Sequence, residues 1–461
     1  MPMFDSASTI AAISTPPGKG GVALIRVSGE EAVAIAARCF RLRSGKPLAS
    51  LPARYAAYGD VIYEGNAIDD AMITVFRAPH SYTGEDTVEI TCHGGSLLTH
   101  TVLCALLEAG AKQAEPGEFT RRALLSGKLT LTEAEAIGNL LDAQSEAQIH
   151  LASSAARGRL AATLNALHRD VLTLLSTLYA RMDYPEEDLA DLSTEEILVR
   201  EEDILARMER LLASYRTGKA INEGIATVLC GAPNVGKSSL YNCLAGDDLA
   251  IVTDLAGTTR DVLQTTLPLG NVLLRLCDTA GLRETGDPVE SIGVSRSRAR
   301  MEEAELLLAV FDASRPPSEE DYALLADLRR AEGCVVILQN KSDLPTQLSP
   351  ETFAGFPYVL SVSAASGAGL DALRALIERL FTDGETVPAR DAVLASARQY
   401  AALYEAKEAL ARSLMAFRAG LPTDLAASDL ERSLAALAAL DGSSANEEII
   451  ADIFSRFCVG K

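Results

Sequence analysis

The pattern of apolar and polar positions divides the first half of the chain into two regions. In residues 1–120, short β-type runs such as GVALIRV, AMITVF and TVEITC alternate with turns that contain Gly or Pro. This alternation predicts an α+β domain. In residues 121–220, apolar positions recur every three or four residues, which predicts amphipathic helices.

Residues 221–383 show a different order, in which fully apolar strands alternate with helices. The predicted strands are IATVLC, NVLLRLC, AELLLAVF, CVVILQN and YVLSVSA. Strands of this kind predict a parallel-rich sheet covered on both faces. The helical pattern returns in residues 384–461, so we expect one all-α domain into which the α/β domain is inserted. Two separate helical domains are the alternative.

Capping signals predict where individual helices begin. Thr132 with Glu135, and Ser193 with Glu196, have the spacing of capping boxes. Near the C-terminal end, residues 446–457 predict an amphipathic helix. Its expected N-cap and apolar face are Asn446, Ile449, Ile450, Ile453, Phe454 and Phe457.

Charge and cysteine usage limit the classes of function. The net charge of −21 disfavours a broad nucleic-acid surface, although a local basic patch or a partner can supply phosphate contacts. The eight cysteines form no CxxC pair, which indicates a reducing compartment. No secretory signal and no apolar run of membrane-spanning length is evident. We therefore expect a cytoplasmic protein without a membrane segment.

A glycine-rich string predicts a phosphate-binding loop. GAPNVGKS follows the strand TVLC and precedes a helical pattern, which is the setting that the GxxxxGKS motif requires. Backbone N–H groups there surround phosphates, the lysine reaches the β- and γ-phosphates, and the serine binds Mg²⁺. The expected contacts are Asn234, Val235, Gly236, Lys237, Ser238 and Ser239, with Ser238 as the metal ligand.

Two further strings resemble the nucleotide-sensing switches of a GTPase. The first switch is expected to comprise Thr253, Asp254, Leu255, Ala256, Gly257, Thr258 and Thr259, with Thr259 as a second Mg²⁺ ligand. The second begins with Asp278, Thr279, Ala280 and Gly281, in which the aspartate holds Mg²⁺ through water. Leu282 then stands where many GTPases place a glutamine, so another group must orient water.

Two motifs after strands predict guanine recognition. Asn340, Lys341 and Asp343 follow CVVILQ, and a carboxylate there accepts from guanine N1–H and the 2-amino group. Ser363, Ala364 and Ala365 follow YVLSV and resemble the loop that supports the guanine O6 contact. Together these motifs predict that the chain binds GTP and GDP and hydrolyses GTP.

Over essentially its whole length the sequence resembles the tRNA-modification GTPase family MnmE, also called TrmE. The residues that carry the resemblance are TPPGKGGVALIRVSG, SYTGEDTVEITCHGG, EPGEFTRRALLSGKLTLTEAEAI, GAPNVGKSSL, IVTDLAGTTRD, DTAGLRE and FCVGK. The resemblance implies a homodimer whose N-terminal domain binds a tetrahydrofolate one-carbon donor, as a 5-formyl or 5,10-methylene derivative. It also implies a FAD-dependent partner, MnmG, in a heterotetramer or larger complex. Together they would add an aminomethyl or carboxymethylaminomethyl group to C5 of the tRNA wobble uridine.

The resemblance also assigns roles to individual residues. It implies that folate is contacted by Arg26, Glu89, Lys128 and Lys461, and that Cys458 lies near the modification chemistry. The family uses K⁺ as an activating ion, and its ligand positions match Asn234, Thr253, Leu255 and Thr258. Glu290 matches the carboxylate that positions the attacking water.

The same residues also allow structural interpretations. Arg26 and Glu89 could form a structural ion pair, the glycines at 18–21 could be tight turns, and Cys458 could be an idle thiol. The alternative functions are a regulatory GTPase of ribosome assembly and a folate enzyme for a small metabolite with a GTPase regulator.

Overall fold

The computed structural model of the chain describes residues 8–183, 193–245, 265–276, 301–382, 384, 386–442, 447–455 and 457–460. The chain forms two compact units. One comprises Met1–Leu141, Ala156–Arg169 and Leu434–Lys461, and the other comprises Asp142–Ala155 and Asp170–Ser433. Among the described residues, no helix combines the length and the apolar composition needed to cross a membrane.

The first unit is built on a seven-stranded sheet. Its strands are β1 (Ile10–Ile13), β2 (Gly20–Ser28), β3 (Phe40–Leu42), β4 (Ala56–Tyr63), β5 (Asn66–Phe76), β6 (Thr87–Gly94) and β7 (Lys112–Gln113). They follow the order β3-β4-β5-β6-β2-β1-β7. Neighbouring strands are antiparallel except for β1 and β7, which are parallel. The predicted strands GVALIRV, AMITVF and TVEITC lie within β2, β5 and β6.

Two helices cover one face of this sheet. They are α1 (Ala32–Cys39) and α2 (Ser96–Glu108). The alternate strand residues Ile25, Ile73 and Ile90 are fully buried in the core that these helices share with the sheet. The α+β expectation for the N-terminal region is confirmed.

The helix that follows α3 (Glu118–Leu125) begins two residues earlier than predicted. Helix α4 spans Leu131–Asp142. Thr130 N–H donates to Glu133 Oε2 over 2.7 Å, and Glu133 N–H donates to Thr130 Oγ1 over 3.3 Å. The predicted box of Thr132 with Glu135 is therefore wrong. Thr132 is buried instead, and the preceding Thr-x-x-Glu string supplies the cap.

The second unit contains the α/β domain. In the residues that the structure describes, its strands are β8 (Ile225–Cys230), β9 (Thr265–Leu269), β10 (Val272–Leu276), β11 (Leu306–Asp312), β12 (Cys334–Asn340) and β13 (Val359–Ser361). Their order is β13-β12-β11-β8-β10-β9, and every pair except β9–β10 is parallel. The described part of this domain includes the helices α9 (Lys237–Ala245), α10 (Glu319–Leu328) and α11 (Leu370–Phe381).

Strand β11 shows that both faces of this sheet are covered. Its residues Leu306, Leu308 and Val310 belong to one hydrophobic cluster, and Leu307, Ala309 and Phe311 belong to another. Because successive side chains of a strand point to opposite faces, the two clusters lie on the two sides of the sheet. The predicted parallel-rich sheet is confirmed.

Helices on both sides of the α/β domain in sequence pack together. Further helices in the described ranges are α5 (Glu146–Ala156), α6 (Arg159–Asp183), α7 (Thr194–Ala213), α8 (Tyr215–Asn222), α12 (Ala397–Arg418), α13 (Thr423–Asp441) and α14 (Glu447–Ser455). Ser193 and Glu196 form the predicted capping box of α7. Helix α12 packs on α7, and Ser413 Oγ donates to Glu201 Oε1 over 2.7 Å. The α/β domain is therefore inserted into a helical domain, whereas the exact edges at 120, 220 and 383 stay predictions.

The last helix, α14, is anchored in the first unit. Phe454 and Phe457 are buried in a cluster with Ala134 of α4, and Ile450 and Ile453 pack against that cluster. The predicted apolar face is confirmed at these four positions. Asn446 and the side chain of Ile449 lie outside the described residues.

Candidate functional site

The phosphate-loop motif adopts the strand–loop–helix setting that its sequence predicts. Strand β8 ends at Cys230 and helix α9 begins at Lys237. Gly231 has φ +156°, and a Cβ added there would lie 2.4 Å from Val310 O. Gly236 has φ +96°, and its added Cβ would lie 2.3 Å from Asn340 Nδ2. Only glycine fits both places, so the backbone turns closely around the space in front of α9.

Lys237 is held inside this loop. Its ammonium donates to Gly231 O over 2.7 Å and to Ala232 O over 2.8 Å. Burial lowers the pKa of Lys237. A partly buried cation in a loop at the N-terminus of a helix fits the phosphates of a nucleotide, which would supply an opposite charge.

The other predicted phosphate-loop residues surround Lys237. Val235 is fully buried, whereas Asn234 is exposed and has φ +64°, in the left-handed region that asparagine tolerates. Ser238 is half-buried and Ser239 is exposed in the first turn of α9. Because a serine hydroxyl offers the hard oxygen ligand that Mg²⁺ prefers, Ser238 fits a metal bound beside the phosphates.

Asn340 joins three of the predicted motifs. Its Nδ2 donates to Val235 O of the phosphate loop over 2.8 Å. Its Oδ1 accepts from Ala364 N–H over 3.0 Å. Ser363 Oγ donates to Asp343 Oδ1 over 2.6 Å. The structure thus brings the phosphate loop, the NKSD motif and the loop of Ser363, Ala364 and Ala365 to one end of the sheet.

Asp312 is a component of this site that the sequence analysis missed. Lys341 has φ +65°, and its ammonium lies 2.6 Å from Asp312 Oδ2. Asp312 Oδ1 accepts from Ser314 N–H over 2.9 Å. Burial alone would raise the pKa of Asp312, but the hydrogen bonds from Lys341 and Ser314 lower it. The available signal was an aspartate at the carboxyl end of the buried strand β11.

Several predicted residues lie outside the described part of the chain. They are Thr253, Asp254, Leu255, Ala256, Gly257, Thr258, Thr259, Asp278, Thr279, Ala280, Gly281, Leu282, Glu290 and Lys461. Their roles in the switches, at the metals and at folate stay predictions.

In the first unit, Arg26 and Glu89 are each other's partner. They are directly opposite in the β2–β6 pair. Arg26 Nη2 lies 2.8 Å from Glu89 Oε1, and both side chains are largely buried. The guanidinium also lies over the rings of Tyr82 and Phe119, at 5.3 and 5.6 Å from their centroids. The ion-pair reading is confirmed; a folate contact by the same two residues stays a prediction.

Lys128 contacts the same loop as Arg26. Its ammonium donates to Pro79 O over 2.9 Å, and its side chain lies beside Gly84. Since Arg26 stacks on Tyr82, the segment 79–84 is touched by both predicted folate contacts. A ligand bound over this segment would meet two cations.

A buried polar network next to this segment was not predicted. Arg122 pairs with Glu118 at 2.9 Å and with Glu85 at 3.2 Å. Ser28 Oγ donates to Glu85 Oε2 over 2.7 Å. The partners are up to 57 residues apart in sequence, so no local spacing announces them.

The C-terminal motif lies against the N-terminal part of the chain. Val459 forms an antiparallel bridge with Pro116. Ser14 Oγ donates to Gly460 O over 2.9 Å. Cys458 is exposed, and its carbonyl oxygen accepts from Gly117 N–H over 3.4 Å. The tail therefore lies beside the end of β1 and the start of α3.

Comparison with protein families assigns both parts of the chain. Residues 9–128 match the family model described as GTP-binding protein TrmE N-terminus. Residues 131–458 match the model of the MnmE helical domain, which spans the inserted α/β domain as well.

Individual relatives match over nearly the full length. A tRNA modification GTPase MnmE of Enterococcus faecalis is 41% identical over 459 residues, which are 98% of each chain. The protein of the same name from Geobacillus kaustophilus is 40% identical over 460 residues, 98% of this chain and 99% of the relative. That from Symbiobacterium thermophilum is 42% identical over 458 residues, 98% of this chain and 99% of the relative.

Proposed function

This chain belongs to the MnmE family of tRNA modification GTPases, and we propose from that membership that it hydrolyses GTP as part of a tRNA-modifying enzyme. The observation that carries the hydrolase proposal is the convergence on Asn340. One side chain connects the loop that holds phosphates with the loop that supports a base. A site built in this way can hold the phosphates of a nucleotide at one end and its base at the other.

Guanine selectivity is proposed to come from Asp343. Its carboxylate would accept from N1–H and the 2-amino group, while Ser363 holds its other side. Adenine lacks this pair of donors and would leave a carboxylate unpaired, which costs binding free energy. Lys341, held by Asp312, fixes the backbone turn that precedes Asp343.

Two metal ions are proposed to complete the phosphate site. Ser238 and Thr259 would hold Mg²⁺, which neutralises charge on the transferred phosphoryl group. Asn234, Thr253, Leu255 and Thr258 would hold K⁺. The exposed position of Asn234 in the phosphate loop fits this assignment, because an amide oxygen is a neutral ligand suited to such a cation. With Leu282 in place of glutamine, Glu290 is proposed to position the attacking water.

The first unit is proposed to bind a tetrahydrofolate derivative. Arg26 and Glu89 lie side by side as a donor–acceptor pair, which suits the polar ring of a folate. Lys128 contacts the segment 79–84 that Arg26 also contacts, and its charge suits the acidic tail of the folate. Lys461 is proposed to pair with the carboxylates of the folate, and this proposal is supported by the residue before it, since the Gly460 carbonyl oxygen accepts from Ser14 Oγ of the first unit. Bound folate supplies a one-carbon group; Cys458, exposed on the tail, is proposed to lie near the acceptor.

Assembly is proposed to be homodimeric and to include the FAD-dependent partner MnmG and tRNA, in the cytoplasm. The sheet face opposite α1 and α2 supports the first of these. Tyr58 and Met72 are cross-strand partners on that face and are 45% and 40% exposed. Exposed apolar side chains on a sheet face are suited to a contact with a second copy.

Nucleoside analysis of tRNA tests the proposal as a whole. A strain lacking the gene should lose the C5 modification of the wobble uridine, and the wild-type chain should restore it. Asp343→Asn should fail to restore it at ordinary GTP levels and should hydrolyse xanthosine triphosphate instead. A deletion strain with normal tRNA and defective ribosomal subunits would overturn the proposal in favour of a ribosome-assembly GTPase.

A further inference from the structure

Two ion pairs lie at opposite ends of one buried strand. All seven residues of β11 are buried. Glu305 directly precedes the strand and pairs with Lys219, whereas Asp312 ends the strand and pairs with Lys341. At a rise of about 3.3 Å per residue, the two carboxylates are attached roughly 23 Å apart along the chain.

The carboxylate of Glu305, at the start of β11, is fixed to the sheet. Glu305 Oε2 accepts from Ala226 N–H over 3.1 Å, and Glu305 N–H donates to Ala226 O over 2.9 Å. Its backbone carbonyl also accepts from Cys334 N–H over 2.9 Å. Glu305 therefore cannot shift without moving the starts of β8, β11 and β12.

The partner of Glu305 lies on a helix that contacts both domains, because Ala220 of α8 belongs to the core cluster of the α/β sheet and Ile221 packs with Leu151 of α5. Lys219 lies on α8, and its ammonium is 2.5 Å from Glu305 Oε1. On the next turn of α8, Asn222 Nδ2 donates to Ala395 O over 3.1 Å. Gly218 lies so close to Leu394 O that an added Cβ would be 1.9 Å from it. Helix α8 is thus attached to the segment that leads into α12.

The joint around this ion pair borders an open cleft. The cleft has a volume of about 560 Å³ and is lined by Lys219, Glu305, Tyr215, Phe381 and Tyr400, among others. The side chains of Lys219 and Glu305 are 33% and 37% exposed. A pair of this kind adds little to global stability, but it can form and break without disturbing a core.

We propose that the Lys219–Glu305 ion pair couples the helical domain to the guanine-recognition loop, with β11 as the connecting element. A movement of α8 then displaces the start of β11. Through the Asp312–Lys341 pair at the other end of the strand, this displacement changes the turn before Asp343. Because coupling is reciprocal, nucleotide binding shifts the equilibrium between the positions of α8 by the same coupling free energy. The inference rests on the proposed nucleotide site and specifies how that site is regulated.

A double-mutant cycle on the full-length chain tests this coupling. The probe is the dissociation rate of fluorescently labelled GDP. Lys219→Met and Glu305→Gln should each accelerate dissociation by about three- to tenfold, and the double variant should do no more than either single one. In an Asp312→Asn background, Lys219→Met should have no further effect.

The controls separate coupling from a general loss of structure. Lys219→Arg keeps the charge and should keep the wild-type rate. Arg412→Met removes an exposed ion pair with Asp429 between α12 and α13 and should also leave the rate unchanged. Circular dichroism and the unfolding temperature identify any variant that fails to fold. If Lys219→Met fails to fold, Lys219→Gln takes its place, and if Glu305→Gln fails, Glu305→Ala does.

Three outcomes have distinct meanings. Non-additive acceleration supports the coupling. Wild-type rates in folded Lys219 and Glu305 variants, or additive effects of the two, overturn it while leaving the nucleotide site intact. Failure of the wild-type chain to bind GDP at all would instead overturn the proposed function.

Discussion

The side-chain nitrogen of Asn340 donates to the carbonyl oxygen of Val235 over 2.8 Å, across 105 residues of sequence. Because the same side chain accepts from Ala364 N–H, the phosphate loop and the base loop share one connecting group. Neither loop can be displaced without affecting the other.

Ser363→Ala should weaken guanine-nucleotide binding. The substitution removes the hydroxyl that donates to Asp343 over 2.6 Å, so the carboxylate loses its orientation. A hydrogen bond to a charged group contributes about 1.5 kcal/mol, which corresponds to roughly a tenfold rise in Kd. Titration with labelled GDP measures this change. Ser361→Ala, which removes an exposed hydroxyl bonded to Gln339, is the matched control and should bind normally.

Potassium should accelerate GTP hydrolysis, and Asn234→Ala should remove that acceleration. The expected difference between K⁺ and Na⁺ buffers is about 100-fold, the scale of one well-placed electrostatic group in a transition state. Hydrolysis rates at matched ionic strength measure it. Equal rates in the two salts would contradict the assignment of Asn234 as a potassium ligand.

Glu290→Ala should retain nucleotide affinity and lose turnover by about 100-fold, because a group that only orients water acts in the transition state. Steady-state kinetics separate kcat from KM. A raised KM at constant kcat would make Glu290 a ground-state contact, and Glu284→Ala would then be the variant to compare.

Removing residues 458–461 should abolish folate binding and tRNA modification while GTP hydrolysis persists. The tail contacts Pro116 and Ser14 of the first unit, whereas the nucleotide site lies in the second. Both activities are measured on one preparation. Cys458→Ser, which keeps the tail in place, should still bind folate and should lose only the modification. Loss of GTP hydrolysis in the truncated chain would show that the tail is structural.

Glu201→Gln should flatten the dependence of stability on pH. Glu201 is fully buried, its Oε2 has no partner among the described residues, and burial raises its pKa to about 7 despite the hydrogen bond from Ser413. Its ordinary pKa is 4.5, so the folded state holds the proton more tightly. The contribution of Glu201 to the free energy of unfolding is therefore fully present below pH 4.5 and is lost as pH rises through about 7. The free energy of unfolding changes by about 3 kcal/mol over this range.

Urea unfolding between pH 5 and 8 measures this dependence. The wild-type chain should lose stability with rising pH more steeply than Glu201→Gln. Glu202→Gln is the control, because Glu202 is half-exposed and pairs with Arg418. Parallel curves for the wild type and Glu201→Gln would mean that Glu201 is already ionised in the folded state.

Local pattern was sufficient to predict the elements that carry the nucleotide site. CVVILQN is a continuous apolar run that ends in a motif, and β12 spans those residues. The helix start at α4 was misplaced because Thr130-x-x-Glu133 and Thr132-x-x-Glu135 overlap. Burial of Leu131 and Thr132, which depends on tertiary packing, decides between them.

The spacing of residues in the sequence could not predict contacts between residues that are far apart in the chain. Nothing near Asp312 in the sequence identifies Lys341 as its partner, and Arg122 meets Glu85 across 37 residues. The Arg26–Glu89 pair was anticipated only as an alternative to a binding role. Such pairs follow from strand register, which the sequence alone leaves open.

The contact between Ser14 and Gly460 also has a consequence for synthesis of the chain. The two residues are 446 positions apart, and a ribosome adding about 5–20 residues per second needs roughly 20–90 s to make that stretch. Throughout this interval the nascent first unit lacks Val459 and the buried Phe454. The part of the predicted folate-binding surface that the C-terminal tail supplies is therefore added last, and a chain released early from the ribosome lacks it.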